Sequence, residues 1–486
     1  MESLSVETKF DYSSINNGVP NDLHLMVTVG APEIIISDEQ RPMLEVCIAL
    51  DVSGSMGGRK IETMKGSAKK FIDNMSPKDR ISIVAFSSHV IMVTEEPVYA
   101  TRENKEDLKK KIDDLHTIGA TNMSDTLMTM FELLSGKSKG ENVIKRAIFF
   151  TDGCPTAGVQ NYTGLIDIVR KRNPDISIST FGFGEDHDPE LLGGFAKVGK
   201  GNNFYIQELT ECDEYFGTEL GGLLTTFAKD IVVKLKPKRG VTVHKILNDF
   251  SVKVIKDDQE EEVTPVPERI QVLLNDIQGD EVVISIANIY GEESRSVVAE
   301  LKVTDHLDES DLVDVSVMYT KISDDKKHRV DSVAAVEFVG EDEIQDIPDS
   351  VVEEQVILLN SAQVQHEARY VADQGNVTDA ECLLRDFDSA LIKTACYASS
   401  ENLQSVGSSI RGFADNMKSY NSSLSADMSY MRSTLSSGRR MSGLSKGMTY
   451  GSAGSQMENF TKGFMGNDKN EQEKKGKKDK SNNPIA

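Results

Sequence analysis

Tryptophan is absent from the 486 residues, and the 12 Tyr and 18 Phe are scattered, so no aromatic hot-spot patch can be read from the chain. Cysteine is scarce. Five residues with no Cys-x-x-Cys spacing cannot build a disulfide framework or a RING-type zinc site. The odd number leaves at least one thiol unpaired, and a reducing compartment is the simpler reading. Positive charge is in deficit. The 54 Lys plus Arg against 78 Asp plus Glu leave a formal charge of −24, which removes the basic face that non-specific nucleic-acid binding requires. No run of 18 apolar residues occurs, so no membrane span is expected. The opening MESLSVETKF lacks both the basic and the apolar region of a secretory signal, and the C-terminus has no lipidation box. These features lead to the expectation of a cytoplasmic chain. The Gly-rich stretches GFGEDH (182–187) and GKGNNF (199–204) have neither dinucleotide nor Walker spacing, which argues against a phosphate cradle. No nucleophile–histidine arrangement appears.

The chain's length suggests about three domains, and its patterning supplies the boundaries. Residues 1–43 are polar, with one alternating stretch at Leu23–Val29 that reads as a strand. From Leu44 short apolar runs alternate with helical patterns. The runs are LEVCIAL (44–50), ISIVAF (81–86), AIFF (147–150) and ISISTFGF (176–183). The helical patterns are Ile61–Met75, Lys105–Leu115, Met123–Leu134, Tyr162–Lys171 and Glu211–Lys229. Asp188, Pro189 and Glu190 form a further helix start. Such alternation predicts an α/β domain over 44–229, with a doubly wound, mostly parallel sheet covered on both faces.

At Ile231 the period becomes two. Seven short stretches from IVVKLKP to VDVSVMYTKI predict an antiparallel β-sandwich over 230–347. The strand at 23–29 is read as a member of that sandwich, which would make the α/β domain an insertion into it. The acidic turn DDQEEE (257–262) reads as solvated. Helical spacing returns over 348–431: a helix ending at Gly375, a second over Asp379–Cys396, and a third over Leu403–Met431. The short link predicts a helical hairpin for the first two. The tail 432–486 is rich in Ser, Gly and Lys and cannot bury enough apolar surface to fold. Its lysines read as a solubilising end.

The chemistry gathers where strands end. DVSGSMGGRK (51–60) follows directly on the first apolar strand, where ligands of open α/β sheets sit. In an extended loop Asp51, Ser53 and Ser55 alternate to one side. One carboxylate and two hydroxyls are hard oxygen donors suited to Mg²⁺ or Mn²⁺. That spacing alone is a weak signal. FFTDG (149–153) then places Asp152 at the end of another strand, and GATNMSDTL (119–127) places Thr121 before a helix. Together these residues resemble a von Willebrand factor type A domain with a metal-ion-dependent adhesion site. The resemblance implies that Asp51, Ser53, Ser55, Thr121 and Asp152 hold the metal.

Beyond the site, FGFGEDHDPELL, GNNFYI and DEYFGTELGGLL are similar to intracellular eukaryotic proteins of this type. In those, a β domain and a helical segment follow. Plant members add a RING finger and act as ubiquitin ligases, but this chain has no RING. The layout also resembles inter-alpha-trypsin inhibitor heavy chains and calcium-activated chloride channel regulators.

The resulting expectation is a non-enzymatic, intracellular adaptor or scaffold. A partner protein's Asp or Glu would complete the shell of a Mg²⁺ or Mn²⁺ ion that neutral hydroxyls leave electron-poor. Two alternatives use the same region. One is a metal-dependent hydrolase, for which the loops offer only Arg59 and Lys60 as a phosphate clamp. The other is an accessory subunit of a ubiquitin-ligase assembly. Cys154 reads as an ordinary loop thiol, and Cys47, Cys382 and Cys396 as packing residues. His187 reads as part of a capping loop, and Asp125 as a helix-start acid. The partner's identity and the oligomeric state are not legible.

Overall fold

The computed structural model describes residues 3–431, apart from 34–41, 137–142, 184–187, 207–211, 257–258, 264–269, 278, 287, 305–306, 341–346, 422–423, 426 and 430. The tail expected to stay unfolded, His187, and Asp257 and Asp258 of the acidic turn lie outside the described residues. Two compact units are formed. Of the described residues, one draws on those within 3–32, 188–205 and 226–431, the other on those within 33–183 and 206–225.

The chain begins with β1 (Ser5–Phe10), β2 (Ser14–Ile15) and β3 (Asn21–Gly30). It continues through β4 (Met43–Asp51), α1 (Arg59–Asn74), β5 (Arg80–Phe86), β6 (Val90–Met92), β7 (Val98–Tyr99) and α2 (Arg102–Asp113). Then come α3 (Met123–Leu134), β8 (Val143–Thr151), α4 (Tyr162–Arg170) and β9 (Ile176–Phe183). α5 (Pro189–Val198), β10 (Asn203–Ile206) and α6 (Cys212–Leu224) follow.

In the α/β unit the strands run in the order β9-β8-β4-β5-β6, with β7 also on β5. β4, β5, β8 and β9 are parallel to their neighbours. β6 and β7 are antiparallel to β5. β4 is buried from Leu44 to Asp51, as expected of a central parallel strand covered on both faces. Its register sets Asp51 opposite Phe86 of β5 and Leu50 opposite Phe150 of β8.

Phe150 stacks on Phe181 of β9 and on Phe216 of α6, each at 4.5 Å between ring centroids. Phe71 of α1 meets Phe216 edge-on at 5.9 Å. Such aromatic pairs add about 0.5–1.5 kcal/mol each beyond area burial, and here they dock α6 to the sheet. A buried ion pair does so too. Arg146 Nε of β8 lies 3.3 Å from Glu219 Oε1 of α6, too poorly aligned to count as a hydrogen bond. The Ser179 hydroxyl on β9 donates to the same Oε1 at 2.7 Å. Arg146 is 1% exposed and Glu219 is fully buried.

The boundary after α6 differs from the sequence reading. The helix ends at Leu224, and the next strand begins at Thr226, so Thr226–Lys229 are strand, not helix. Gly221, Gly222, Thr225 and Thr226 are poor helix formers. Asp230 takes a positive φ of 52°, and the register shifts between Lys229 and Val232, so a bulge marks the entry.

The remaining strands are β11 (Thr226–Pro237), β12 (Val241–Ile246), β13 (Ser251–Lys256), β14 (Gln259–Val263) and β15 (Val272–Ile277). They continue as β16 (Glu281–Ile286), β17 (Ile289–Tyr290), β18 (Ser294–Val303), β19 (Asp311–Lys321), β20 (Lys326–Ala335) and β21 (Glu337–Phe338). Two antiparallel sheets result, ordered β1-β3-β18-β12-β15 and β14-β13-β16-β11-β19-β20, with β17 on β11. β3 pairs with β18 from Asn21 opposite Val303 to Gly30 opposite Ser294. β1, which the polar N-terminal sequence did not announce, pairs along β3. Burial alternates along β16 and β19, the signature of a sheet with one inner face.

Helices α7 (Ser350–Asp373), α8 (Val377–Leu391) and α9 (Glu401–Asn416) follow the sheets. Val352, Val356 and Leu359 of α7 pack with Met26, Leu247 and Val298 of the first sheet. Gly375 turns the chain between α7 and α8 with φ of 90°. α9 stops at Asn416 and a 3-10 turn over Met417–Ser419 follows, but the described residues between 424 and 431 are again helical, so the helix expected to reach Met431 is interrupted and does not run through unbroken. Ser419, Asn421 and the residues beside them favour turns over helix, which accounts for the break. Among the described residues no helix is long and apolar enough to cross a membrane.

Candidate metal centre

The loops after β4 and β8, together with the loop that leads from α2 into α3, supply the candidate residues. Asp51 is the last residue of β4 and Asp152 follows the last residue of β8. Because the strands are parallel neighbours, both carboxylates emerge at the same edge. Both are fully buried, Ser53 is 2% and Thr121 4% exposed, and Ser55 is exposed.

A hydrogen-bond chain joins them. Asp51 Oδ1 accepts from the Ser53 backbone N–H at 2.7 Å, and its Oδ2 accepts from the Thr151 hydroxyl at 2.6 Å. Ser53 Oγ lies 3.1 Å from Ser55 Oγ, and Ser55 donates to Asp152 Oδ1 at 2.7 Å. The Lys60 ammonium donates to Asp152 Oδ2 at 2.6 Å. A Cβ added at Gly153 would lie 3.8 Å from Ser55 Oγ and 3.9 Å from Thr121 Oγ1. The Thr121 hydroxyl is thereby placed beside the other donors. All five residues singled out in the sequence come together.

The Thr121 loop is held by local chemistry. The Ile118 N–H donates to Val52 O at 2.7 Å, and the Gly54 N–H donates to Gly119 O at 3.2 Å. These bonds bind the first and second loops. Gly119 has φ of 75°, and a Cβ there would come within 2.6 Å of Ser88 Oγ. Only glycine permits this approach. The Thr121 N–H donates to Thr156 Oγ1 at 2.9 Å, and Thr121 O accepts from the Thr156 and Ala157 N–H groups. Asn122 caps α3 by accepting from the Asp125 N–H at 3.2 Å. Asp125, exposed in the first turn of α3, accepts from Asn122 Nδ2 at 2.8 Å.

Burial pushes the Asp51 carboxyl up to about 6 from 3.8. Hydrogen bonds from Thr151 and Ser53 oppose the rise, and the nearby Asp152 charge adds to it. Of the two buried carboxylates Asp152 is offset by the Lys60 ammonium, and the charge of Asp51 stays costly without a further cation. No group of three His, Cys, Asp or Glu side chains gathers among the described residues. The set is two carboxylates and three hydroxyls, all oxygen donors of the kind a hard divalent ion takes.

In the sequence Lys60 stands only as a spare cation for a phosphate clamp, and Thr151 is not among the candidate donors. Thr151 carried a signal of its own: it precedes Asp152 at the end of a strand next to β4. Cys154 is exposed, as a loop thiol should be.

The von Willebrand factor type A domain family model matches residues 45–217, so the chain contains such a domain. Human inter-alpha-trypsin inhibitor heavy chain H4 is 30% identical over 146 residues, a match spanning 29% of this chain and only 16% of that protein. A solved von Willebrand factor type A protein from Catenulispora acidiphila is similar in fold. Its TM-score is 0.57 at 17% identity, covering 83% of this chain and 90% of the other. The ArnB paralog VWA2 from Sulfolobus acidocaldarius has a TM-score of 0.54 at 16% identity, covering 90% and 98%.

Proposed function

We propose that this von Willebrand factor type A domain chain is a non-enzymatic protein-interaction module, acting inside the cell as an adaptor or scaffold. Asp51, Ser53, Ser55, Thr121 and Asp152 hold a Mg²⁺ or Mn²⁺ ion, and an Asp or Glu of a partner protein completes its shell. The observation that carries the reading is the convergence of two fully buried carboxylates with the Ser55 and Thr121 hydroxyls at one sheet edge. Three of the five donors are neutral, so the ion keeps charge to offer. The exposed Ser55 marks the open side, where a partner carboxylate arrives. No nucleic acid is expected on so acidic a chain.

The test is an affinity capture from the protein's own cells, in Mg²⁺ and in EDTA. Wild type is run beside Asp51→Ala and the milder Thr121→Val, with partners identified by mass spectrometry. Partners lost in EDTA and with both variants support the reading. Partners retained in every sample refute it.

A further inference from the structure

The two carboxylates of the site are not equivalent. Asp51 is held by neutral donors, the Ser53 N–H and hydroxyl and the Thr151 hydroxyl. Asp152 is held by one neutral donor, Ser55, and by one cation, the Lys60 ammonium. Lys60 stands in the first turn of α1, just after Gly58, whose φ of 78° turns the loop into the helix. Its side chain is 28% exposed, while Asp152 is fully buried. The lysine thus reaches in from the rim to a carboxylate that water does not reach.

This pairing decides the charge of a loaded site. Two carboxylates and a divalent ion sum to zero, so without a further cation the pull on a partner's acid comes from the ion's open coordination position alone, with no net charge behind it. With Lys60 in place the loaded site carries one net positive charge, which a single incoming carboxylate cancels. The ammonium also repels the metal ion, so selectivity for an acidic partner comes at the expense of metal affinity. We infer that Lys60 is a specificity-determining residue: bound to Asp152 Oδ2, it keeps the metal-loaded site net positive and so makes it acid-seeking. The inference rests on the metal reading above and adds a residue outside the five donors.

The test counts free Mn²⁺ by electron paramagnetic resonance in titrations of the full-length protein, with and without acetate as the carboxylate probe. Wild type, Lys60→Met and Lys60→Arg are compared, and binding that survives in Asp51→Asn is subtracted as background. Circular dichroism checks that each variant folds. Lys60→Met should bind Mn²⁺ about tenfold or more tightly, the order expected when one unit charge is removed from beside a divalent ion. Acetate should tighten Mn²⁺ binding to wild type, because linked ligands strengthen each other reciprocally. That gain should fall at least several-fold in Lys60→Met and persist in Lys60→Arg, a pattern that a merely structural lysine would not give.

Equal affinity and equal acetate coupling in wild type and Lys60→Met overturn the inference. Tighter Mn²⁺ binding with undiminished acetate coupling overturns it too, since the lysine would then be a competitor that the ion displaces. Absence of site-specific Mn²⁺ binding to wild type overturns the metal reading itself, and this inference with it.

Discussion

Asp51 shows how one side chain carries a cost that a ligand can relieve. Its carboxyl is pushed up to about 6 by burial, so in the metal-free protein a proton competes with the ion for it. Apparent Mn²⁺ affinity should therefore fall as pH drops through about 6 and level off above about 7, measured by titration calorimetry at a series of pH values. The folded-state value lies above the unfolded value of 3.8. Asp51 therefore lowers the stability of the metal-free protein progressively as pH rises from about 4 to about 6. Saturating metal should remove that loss. Cysteine gives a second test at this scale. Burial pushes the Cys47 thiol up to about 12 and the Cys396 thiol up to about 11, whereas Cys154 and Cys382 are exposed. At pH 8 an alkylating reagent on the native protein, followed by peptide mapping, should label Cys154 and Cys382. It should leave Cys47 and Cys396 unmodified until denaturant is added. The site residues were legible as residue types at strand ends. Lys60 was visible only as a spare basic residue, because its pairing spans 92 positions and spacing alone cannot show it. Cys382 was expected to be buried. The helical pattern showed that it lay on a helix without showing which face met the core.

Elements hold these residues in place. Gly158 sits at φ of 68° beside the α3 cap, and a Cβ there would fall 2.3 Å from Ser124 Oγ and 2.4 Å from Asn122 Oδ1. Gly158→Ala should displace the cap that follows Thr121. The expected outcome is a loss of about 1–2 kcal/mol in denaturant unfolding, together with weaker Mn²⁺ binding. At the opposite end of α3's neighbour strand, Arg146 and Glu219 form a buried ion pair between β8 and α6. Glu219→Ala leaves the guanidinium buried and uncompensated, so urea melts should show a loss of about 3–5 kcal/mol. A double replacement by apolar residues of similar volume should recover most of it. Element types were readable wherever the hydrophobic period was long, as for β4, β5, β9 and α3. The boundary between α6 and β11 was not, because Gly221, Gly222 and the threonines satisfy neither period. β6, β7 and β10 are short and flanked by polar residues, and gave no periodic signal.

For the whole molecule, the metal reading implies mass-action stabilisation. Mg²⁺ at about a hundredfold above its dissociation constant should stabilise the α/β unit by roughly 2.7 kcal/mol. Calorimetry should record a higher Tm with Mg²⁺ for wild type and no metal-dependent rise for Asp51→Asn. If both proteins respond alike, the ion binds elsewhere on this acidic surface. The sequence by itself determined the fold class, since alternating apolar runs and helical periods admit little but a covered parallel sheet, and strict period two beyond Ile231 admits little but antiparallel sheets. It also determined which oxygen donors stand at strand ends, because that follows from where each apolar run stops. Only the tertiary structure decided that β1 pairs with β3 and β3 with β18, that α6 is pinned by Phe216 and Glu219, and that Lys60 reaches Asp152. Those are contacts between segments far apart in the chain. Local pattern encodes which face of an element is apolar, but not which distant element covers it.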